Sequence, residues 1–160
     1  IELRRLRIVN RSRSSRSIDV TSYAEVVLAP QDSDALHPAF SNLFVQTEIV
    51  RRQHAILCHR RPRSQGEKGP WMFHLMAVQG AETGDVSYET DRLQFLGRGR
   101  TAADPQAMDR PGPLSGSRGS VLDPIVAIRY RITLDPEKPA IINIVTGIGE
   151  TRDACLGLVE

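Results

Sequence analysis

Apolar residues at every second position, in stretch after stretch, commit this chain to an extended, sheet-forming backbone. Ile18, Val20, Ala24, Val26 and Leu28 share one parity, and Asp19, Thr21, Tyr23 and Glu25 share the other. Successive strand side chains point to opposite faces, so this pattern predicts one long half-buried strand, ended by Pro30. Leu6 and Ile8 against Arg5 and Arg7 predict an earlier strand, with 10–17 as its connection. Further strands are expected over 44–50 and 53–58. Trp71, Phe73, Leu75 and Ala77 then alternate with Met72, His74, Met76 and Val78, so that both faces are apolar and the strand is central.

A turn over 81–85 leads to a strand at 86–90, and Val126, Ile128, Tyr130, Ile132 and Leu134 mark another. Asp135, Pro136, Glu137 and Lys138 form a turn before a strand at 140–146. Thr151 is placed as a helix N-cap, with Cys155, Leu158 and Val159 as the apolar stripe behind it. Many strands, polar turns and one closing helix predict an all-β fold, an antiparallel β-sandwich with a short C-terminal helix. The sandwich is expected over 1–150, and 151–160 begins a helical linker.

At 160 residues, 40% hydrophobic and 25% charged, the chain can bury one sizeable core. Net charge is only +2, which singles out no partner class. Cys58 and Cys155 lie far apart without metal-type spacing, and a reduced, intracellular protein is the expectation. No apolar run reaches membrane-spanning length, so direct membrane insertion is not expected. The chain opens at Ile1 and stops at Glu160 inside an expected helix, which reads as a piece of a longer polypeptide.

Three irregular segments interrupt the alternation: HPAFSNLF from His37, YETDRLQFLGRGR from Tyr88, and GSVLDPI from Gly119. Loops on a rigid scaffold carry a disproportionate share of binding residues. The segment 97–120 reads as a long ordered loop. Catalytic signatures are missing: Gly116-Ser117-Arg118-Gly119 lacks the spacing of a nucleophile elbow, and Gly97-Arg98-Gly99-Arg100 lacks the lysine of a phosphate loop. That second motif reads either as a solvated turn or as a hinge aiming Arg98 and Arg100 at an anionic or polyhydroxyl ligand.

His54, Cys58 and His59 do not read as metal ligands, because four residues of strand hold His54 and Cys58 about 13 Å apart. Glu89 and Asp91 share one face if their segment stays extended, which raises a two-carboxylate glycosidase reading. The favoured alternative has them paired with Arg92 or Arg98, pinning the loop. Basic segments at 4–16 and 51–63 would suit nucleic acid, but with 5% aromatics they lack the interleaved stacking rings of single-strand binders. Solvated sheet faces explain them better, and no nucleic-acid partner is expected.

HPAFSNLF, RRPRS from Arg60, YETDRLQFLGRGR, PLSGS from Pro113 and VLDPI from Val121 together resemble, in order and spacing, the β-sandwich domain of family 94 glycoside phosphorylases. They resemble in particular the version in cyclic β-1,2-glucan synthases, and the resemblance covers nearly all of the chain. It implies a galactose-mutarotase-like supersandwich whose first strands lie ahead of Ile1, followed by a helical linker and an (α/α)6 barrel. Enzymes of the family are inverting phosphorylases whose acid is an aspartate of that barrel. The resemblance therefore implies a non-catalytic, carbohydrate-binding domain of a hexosyltransferase or phosphorylase, with no cofactor.

The matched positions are Glu89, Asp91, Arg92, Phe95, Gly97 and Arg98. By this resemblance Arg92 and Arg98 donate to sugar hydroxyls, Glu89 and Asp91 accept from hydroxyls or orient the arginines, and Phe95 packs the loop down. His37, Phe40 and Asn42 would shape the adjoining wall. The implied partners are a β-glucan or oligosaccharide, the helical barrel, and a second copy in a homodimer. The implied location is the cytoplasmic face of a bacterial inner-membrane protein. The other readings are a structural domain that mediates assembly without touching sugar, and nucleic-acid binding.

Overall fold

The computed structural model describes every residue except Arg63, Gln65 and Arg110, so Arg63 of the RRPRS block lies outside the described residues. Two antiparallel sheets face each other. The larger is built from β1 (Glu2–Val9), β4 (Val45–Val50), β5 (Ala55–Arg60), β6 (Trp71–Gln79) and β9 (Pro139–Gly149), in the order β1-β9-β6-β5-β4. The smaller is centred on β8 (Pro124–Leu134), which pairs with β2 (Arg16–Thr21), β3 (Ala24–Glu25) and β7 (Glu82–Asp91). The antiparallel sandwich expected from the alternation is the fold observed.

Parity decides which side chains meet between the sheets. Ile56, Cys58, Met72, Met76 and Ile142 from the larger sheet pack against Val126, Ile128, Tyr130 and Ile132 of β8. At about 25 cal/mol per Å² of apolar surface, each such side chain contributes roughly 1.5–3 kcal/mol when fully buried. The two-sided pattern of β6 is explained by a second cover. Phe73 and Leu57 face outward against Cys155 of α5 (Arg152–Val159), while β6 lies between β9 and β5. A Cβ on Gly147 would come 2.5 Å from the Phe73 ring, so this approach requires glycine.

Thr151 caps α5 as expected, its Oγ1 accepting from the Ala154 N–H at 3.1 Å. The stripe differs by one residue: Leu156 and Val159 pack with Cys155, and Leu158 is exposed. Cys58 and Cys155 are both buried and unpaired, and burial pushes the Cys58 thiol up to about 12.

Several expected elements are corrected, among them the turn over 81–85, which is already strand: β7 starts at Glu82, with a register shift between Thr83 and Val86. The strand over 18–28 keeps a single register along β8 (Arg16↔Leu134 to Glu25↔Ile125), yet Ser22 and Tyr23 interrupt it. The Ser22 hydroxyl stands in for a strand neighbour there, accepting from the Ile128 N–H at 3.1 Å. HPAFSNLF is a helical turn rather than an irregular loop: α2 (Pro38–Asn42) follows α1 (Gln31–Leu36), with Pro38 at its first position where no N–H is needed. β5 begins at Ala55, because His54 adopts a left-handed conformation (φ 50°).

Candidate functional site

β7 ends at Asp91, and the chain turns at once into α3 (Arg92–Leu96). The Asp91 carboxylate caps that helix, accepting from the Leu93 N–H at 2.8 Å. Gly97 ends it with φ +87°, its N–H donating to the Leu93 carbonyl at 2.9 Å. A Cβ at Gly97 would sit 2.8 Å from the Gln106 Cβ, so both conformation and space demand glycine. Phe95 and Leu96 point inward and, with Ala107, Ile125 and Ala127, cover the outer face of the smaller sheet. The Tyr23 ring stacks on Phe95 at 5.0 Å. Phe95 therefore packs the turn down.

Neither Glu89 nor Asp91 pairs with an arginine among the described residues; both accept from backbone N–H groups. A register shift between them (Glu89↔Ala127, Asp91↔Pro124) breaks the shared face the extended segment predicted. Buried Glu89 accepts from the backbone N–H groups of Thr90 at 2.8 Å and Asp91 at 2.9 Å, and from the Ser115 hydroxyl. Both carboxylates hold backbone in place. This corrects the expected pairing with Arg92 or Arg98.

Arg92 engages carboxylates distant in sequence instead. Its Nε donates to Glu25 Oε1 at 3.0 Å, Nη1 lies 3.7 Å from Asp123 Oδ2, and its backbone N–H donates to the Asp123 carbonyl at 2.9 Å. Asn42 Nδ2 donates to Asp123 Oδ1 at 3.0 Å, and the Tyr23 hydroxyl donates to Glu25 Oε1 at 2.7 Å. Burial would raise Glu25, but the hydrogen bonds from Tyr23 and Arg92 outweigh it and hold the carboxyl below its ordinary value. Asp123 is raised, first by burial and then by neighbouring Glu25 and Asp91, against the pull of Arg92 and Asn42. Burial, with Glu25 beside it, pushes the Tyr23 phenol up to about 12.

The cluster is open on one side, the Arg92, Glu25 and Asp123 side chains being 38%, 50% and 42% exposed. Beside it runs a cleft of about 230 Å³ whose walls include Tyr23, Glu25, Arg4, Met72, His74 and Thr146. His74 is buried, with Nε2 2.9 Å from the Ser22 hydroxyl and Nδ1 2.8 Å from that of Thr146. Burial lowers its pKa to about 4.

The two arginines after Gly97 part company. Arg100 is held by Asp104 at 2.6 Å and Asp109 at 2.5 Å, whereas Arg98 is exposed, with no hydrogen bond or ion pair to a described residue. The hinge therefore presents Arg98 alone. The long loop expected behind it includes a short helix. Buried Arg129 of β8 donates to the carbonyls of Ala107 (2.7 Å) and Gly112 (2.9 Å), and α4 (Gln106–Asp109) packs on α3.

Contacts join the segments that stand out in the sequence. Arg60 Nη1 donates to the Ser41 carbonyl at 3.0 Å, linking RRPRS to α2. Asn42 links α2 to VLDPI, Asp123 links VLDPI to Arg92, and Glu89 links YETD to Ser115 of PLSGS. Of the predicted wall, Asn42 joins the cluster, while His37 is exposed and Phe40 leans on Phe44 with ring centroids 5.2 Å apart. His54 Nδ1 lies 3.1 Å from the Tyr88 hydroxyl and the His59 ring stacks on Trp71 at 4.3 Å. Among the described residues no group of His, Cys, Asp or Glu is arranged for a metal ion.

Sequence reasoning missed Tyr23, Glu25 and Asp123. Tyr23 and Glu25 did fall on the solvent-facing parity of their strand, and Asp123 lay within a segment marked as unusual, but nothing local tied either to Arg92.

The chain is 44% identical over 128 residues to "Cyclic beta-(1,2)-glucan synthase NdvB" of Rhizobium meliloti (strain 1021). That match covers 80% of the chain and 4% of the relative, so the chain spans a small fraction of that protein's length. The family described as "Glycosyl hydrolase 94, supersandwich domain" matches residues 1–160, from end to end. With the facing antiparallel sheets and the joined loop blocks, this places the chain in the glycosyl hydrolase 94 supersandwich family.

Proposed function

We propose that this chain is a non-catalytic carbohydrate-binding domain of a cyclic β-1,2-glucan synthase or related inverting phosphorylase, and that its Arg92 cluster contacts the glucan. The observation that carries the reading is the half-open cluster in which Glu25 and Asp123, the latter held by Asn42, engage Arg92 where the loop blocks meet. A guanidinium fixed by carboxylates presents directed donors, and the carboxylates present acceptors, which is the mixed set that vicinal sugar hydroxyls require. Arg98, exposed after the Gly97 turn, supplies a second and adaptable donor.

In this reading Glu89, Asp91, Phe95 and Gly97 shape the turn, and Arg92 and Arg98 meet the ligand. Residues 1–150 form the sandwich, and 151–160 begin the linker to a helical barrel that supplies the catalytic acid. The parent is an inner-membrane protein with this region on the cytoplasmic side. A homodimer would bring the loops of one copy to the other.

Titration of a linear β-1,2-glucan oligosaccharide, followed by amide chemical shifts, tests the reading. Shifts clustered at Arg92, Leu93, Arg98 and Asp123 are expected, with affinity reduced about tenfold or more in Arg92→Ala, as for loss of a charged hydrogen-bond donor. Arg92→Lys keeps the charge but not the fork, and should recover affinity only in part. No shifts at these positions in a folded chain would favour the alternative, an assembly domain without a sugar site of its own.

A further inference from the structure

Arg92 and Gln94 stand two residues apart on α3, which at roughly 100° per residue puts them on opposite sides of the helix. Arg92 turns to Glu25 and Asp123, whereas Gln94 borders a pocket of about 90 Å³ enclosed by α3, α4 and the segment 113–115. Every wall comes from residues between 89 and 129. The floor is the outer face of the smaller sheet, where Glu89 of β7 and Arg129 of β8 are 1% and 4% exposed. Gln94 and Ser115 are exposed and form the mouth.

Two buried, opposite charges border this pocket, and each is satisfied by neutral partners rather than by the other. Glu89 Oε1 accepts from the Thr90 and Asp91 N–H groups, and Oε2 accepts from the Ser115 hydroxyl. A carboxylate has about four lone-pair positions, so among the described residues one on Oε2 is left open. Arg129 donates from Nε to Thr21 Oγ1 at 2.9 Å, from Nη1 to Gly112, and from Nη2 to Ala107 and towards Met108 Sδ at 3.6 Å. That leaves one N–H of Nη1 open among the described residues. The Gln94 amide makes no hydrogen bond to a described residue. The pocket thus offers an acceptor, a donor and an amide that is both, with its two charges in balance. A polar cavity of this kind holds water, about three molecules at roughly 30 Å³ each. The carboxylate disfavours an anion and the guanidinium disfavours a cation, so the group that replaces this water is small, neutral and hydroxyl-bearing.

We propose that this pocket is a second glucan subsite, taking the hydroxymethyl arm of one glucosyl unit while another unit of the same chain lies at the Arg92 cluster. The inference rests on the glucan reading and extends it across α3. The pocket is too small for a sugar ring, and the hydroxymethyl group is the part of a glucosyl unit that projects from the ring on a rotatable carbon. Its hydroxyl can donate to the open Glu89 position and accept from Arg129 or Gln94, which satisfies both of its roles. A helix with its side chains is about 10 Å across, wider than one sugar ring, so only an oligosaccharide joins the two subsites.

The test titrates the full chain with β-1,2-linked di- and hexasaccharides and follows the side-chain amide of Gln94 beside the backbone amides. The hexasaccharide should displace the Gln94 and Ser115 signals together with those of Arg92, Leu93 and Asp123, and the disaccharide only the second group. Gln94→Ala should weaken the hexasaccharide about three- to tenfold, as for one lost hydrogen bond, and leave both the disaccharide affinity and the unfolding midpoint unchanged. A hexasaccharide of 6-deoxyglucosyl units should lose a similar factor on the unaltered chain and be indifferent to Gln94→Ala. The proposal is overturned if the Gln94 amide does not move, if Gln94→Ala binds the hexasaccharide as well as before, or if the 6-deoxy ligand matches its parent. Shifts at Arg92 with none at Gln94 would reduce the pocket to a water-filled seam and leave the glucan reading standing. Shifts at Gln94 with none at Arg92 would keep the subsite and remove the cluster from the ligand. Silence at both would sink the two together.

Discussion

Replacing Glu89 by alanine removes one acceptor from three donors at once. The Thr90 N–H at 2.8 Å is buried, the Asp91 N–H at 2.9 Å is half-buried, and the Ser115 hydroxyl has Ser117 Oγ at 3.3 Å as another neighbour. A buried donor left without a partner costs about 1–3 kcal/mol. Counting Thr90 in full, Asp91 in part and Ser115 as able to turn away, Glu89→Ala should destabilise the fold by about 2–5 kcal/mol, a large share of the roughly 5–15 kcal/mol typical of a domain. Glu89→Gln is the discriminating control. Its amide oxygen retains the two backbone bonds, and the Ser115 hydroxyl can rotate to accept from the amide nitrogen, so its cost should stay below about 1.5 kcal/mol. Urea unfolding followed by Trp71 fluorescence gives both values, and amide exchange at Thr90 and Asp91 reports the local release. A loss below about 1 kcal/mol for alanine, or equal losses for alanine and glutamine, would refute the assignment of Glu89 as the acceptor that holds this turn.

Gly97→Ala should cost about 1–3 kcal/mol for a positive-φ extended backbone open essentially only to glycine, and more for the overlap with Gln106, lowering the midpoint of urea unfolding. His74 makes stability depend on pH. Its folded pKa of about 4 lies below the ordinary 6.5, so the unfolded chain binds the extra proton first, and stability falls as pH drops from about 6.5 towards 4, by on the order of 3 kcal/mol in all. Chemical denaturation across that range should show the slope, and His74→Gln should remove most of it.

Alternation alone placed most of the strands, because the inward and outward sides of a sheet impose a period of two wherever one face is dry. Where a side chain replaced a backbone partner, that signal failed: the Ser22 hydroxyl interrupts a strand whose parity continues undisturbed through Val26 and Leu28. The helix Pro38–Asn42 was hidden because a single turn is too short to show a helical period. In the turn after β7, composition pointed to Glu89, Asp91, Arg92 and Arg98 but not to their tasks. Two acids beside two arginines suggest ion pairs, and the structure gives both acids to the nearby backbone instead.

From the sequence by itself came the all-β class, the capped closing helix, the glycine-dependent turn at 97 and the segments that stand apart. Each follows from local rules of side-chain direction, capping and allowed dihedral angles. Tertiary structure alone decided that Arg92 answers to Glu25 and Asp123 and that Glu89 reaches Ser115. Those pairings depend on the register of strands far apart in the chain (Glu25↔Ile125, Asp91↔Pro124), and register is fixed only when both sheets close on the shared core.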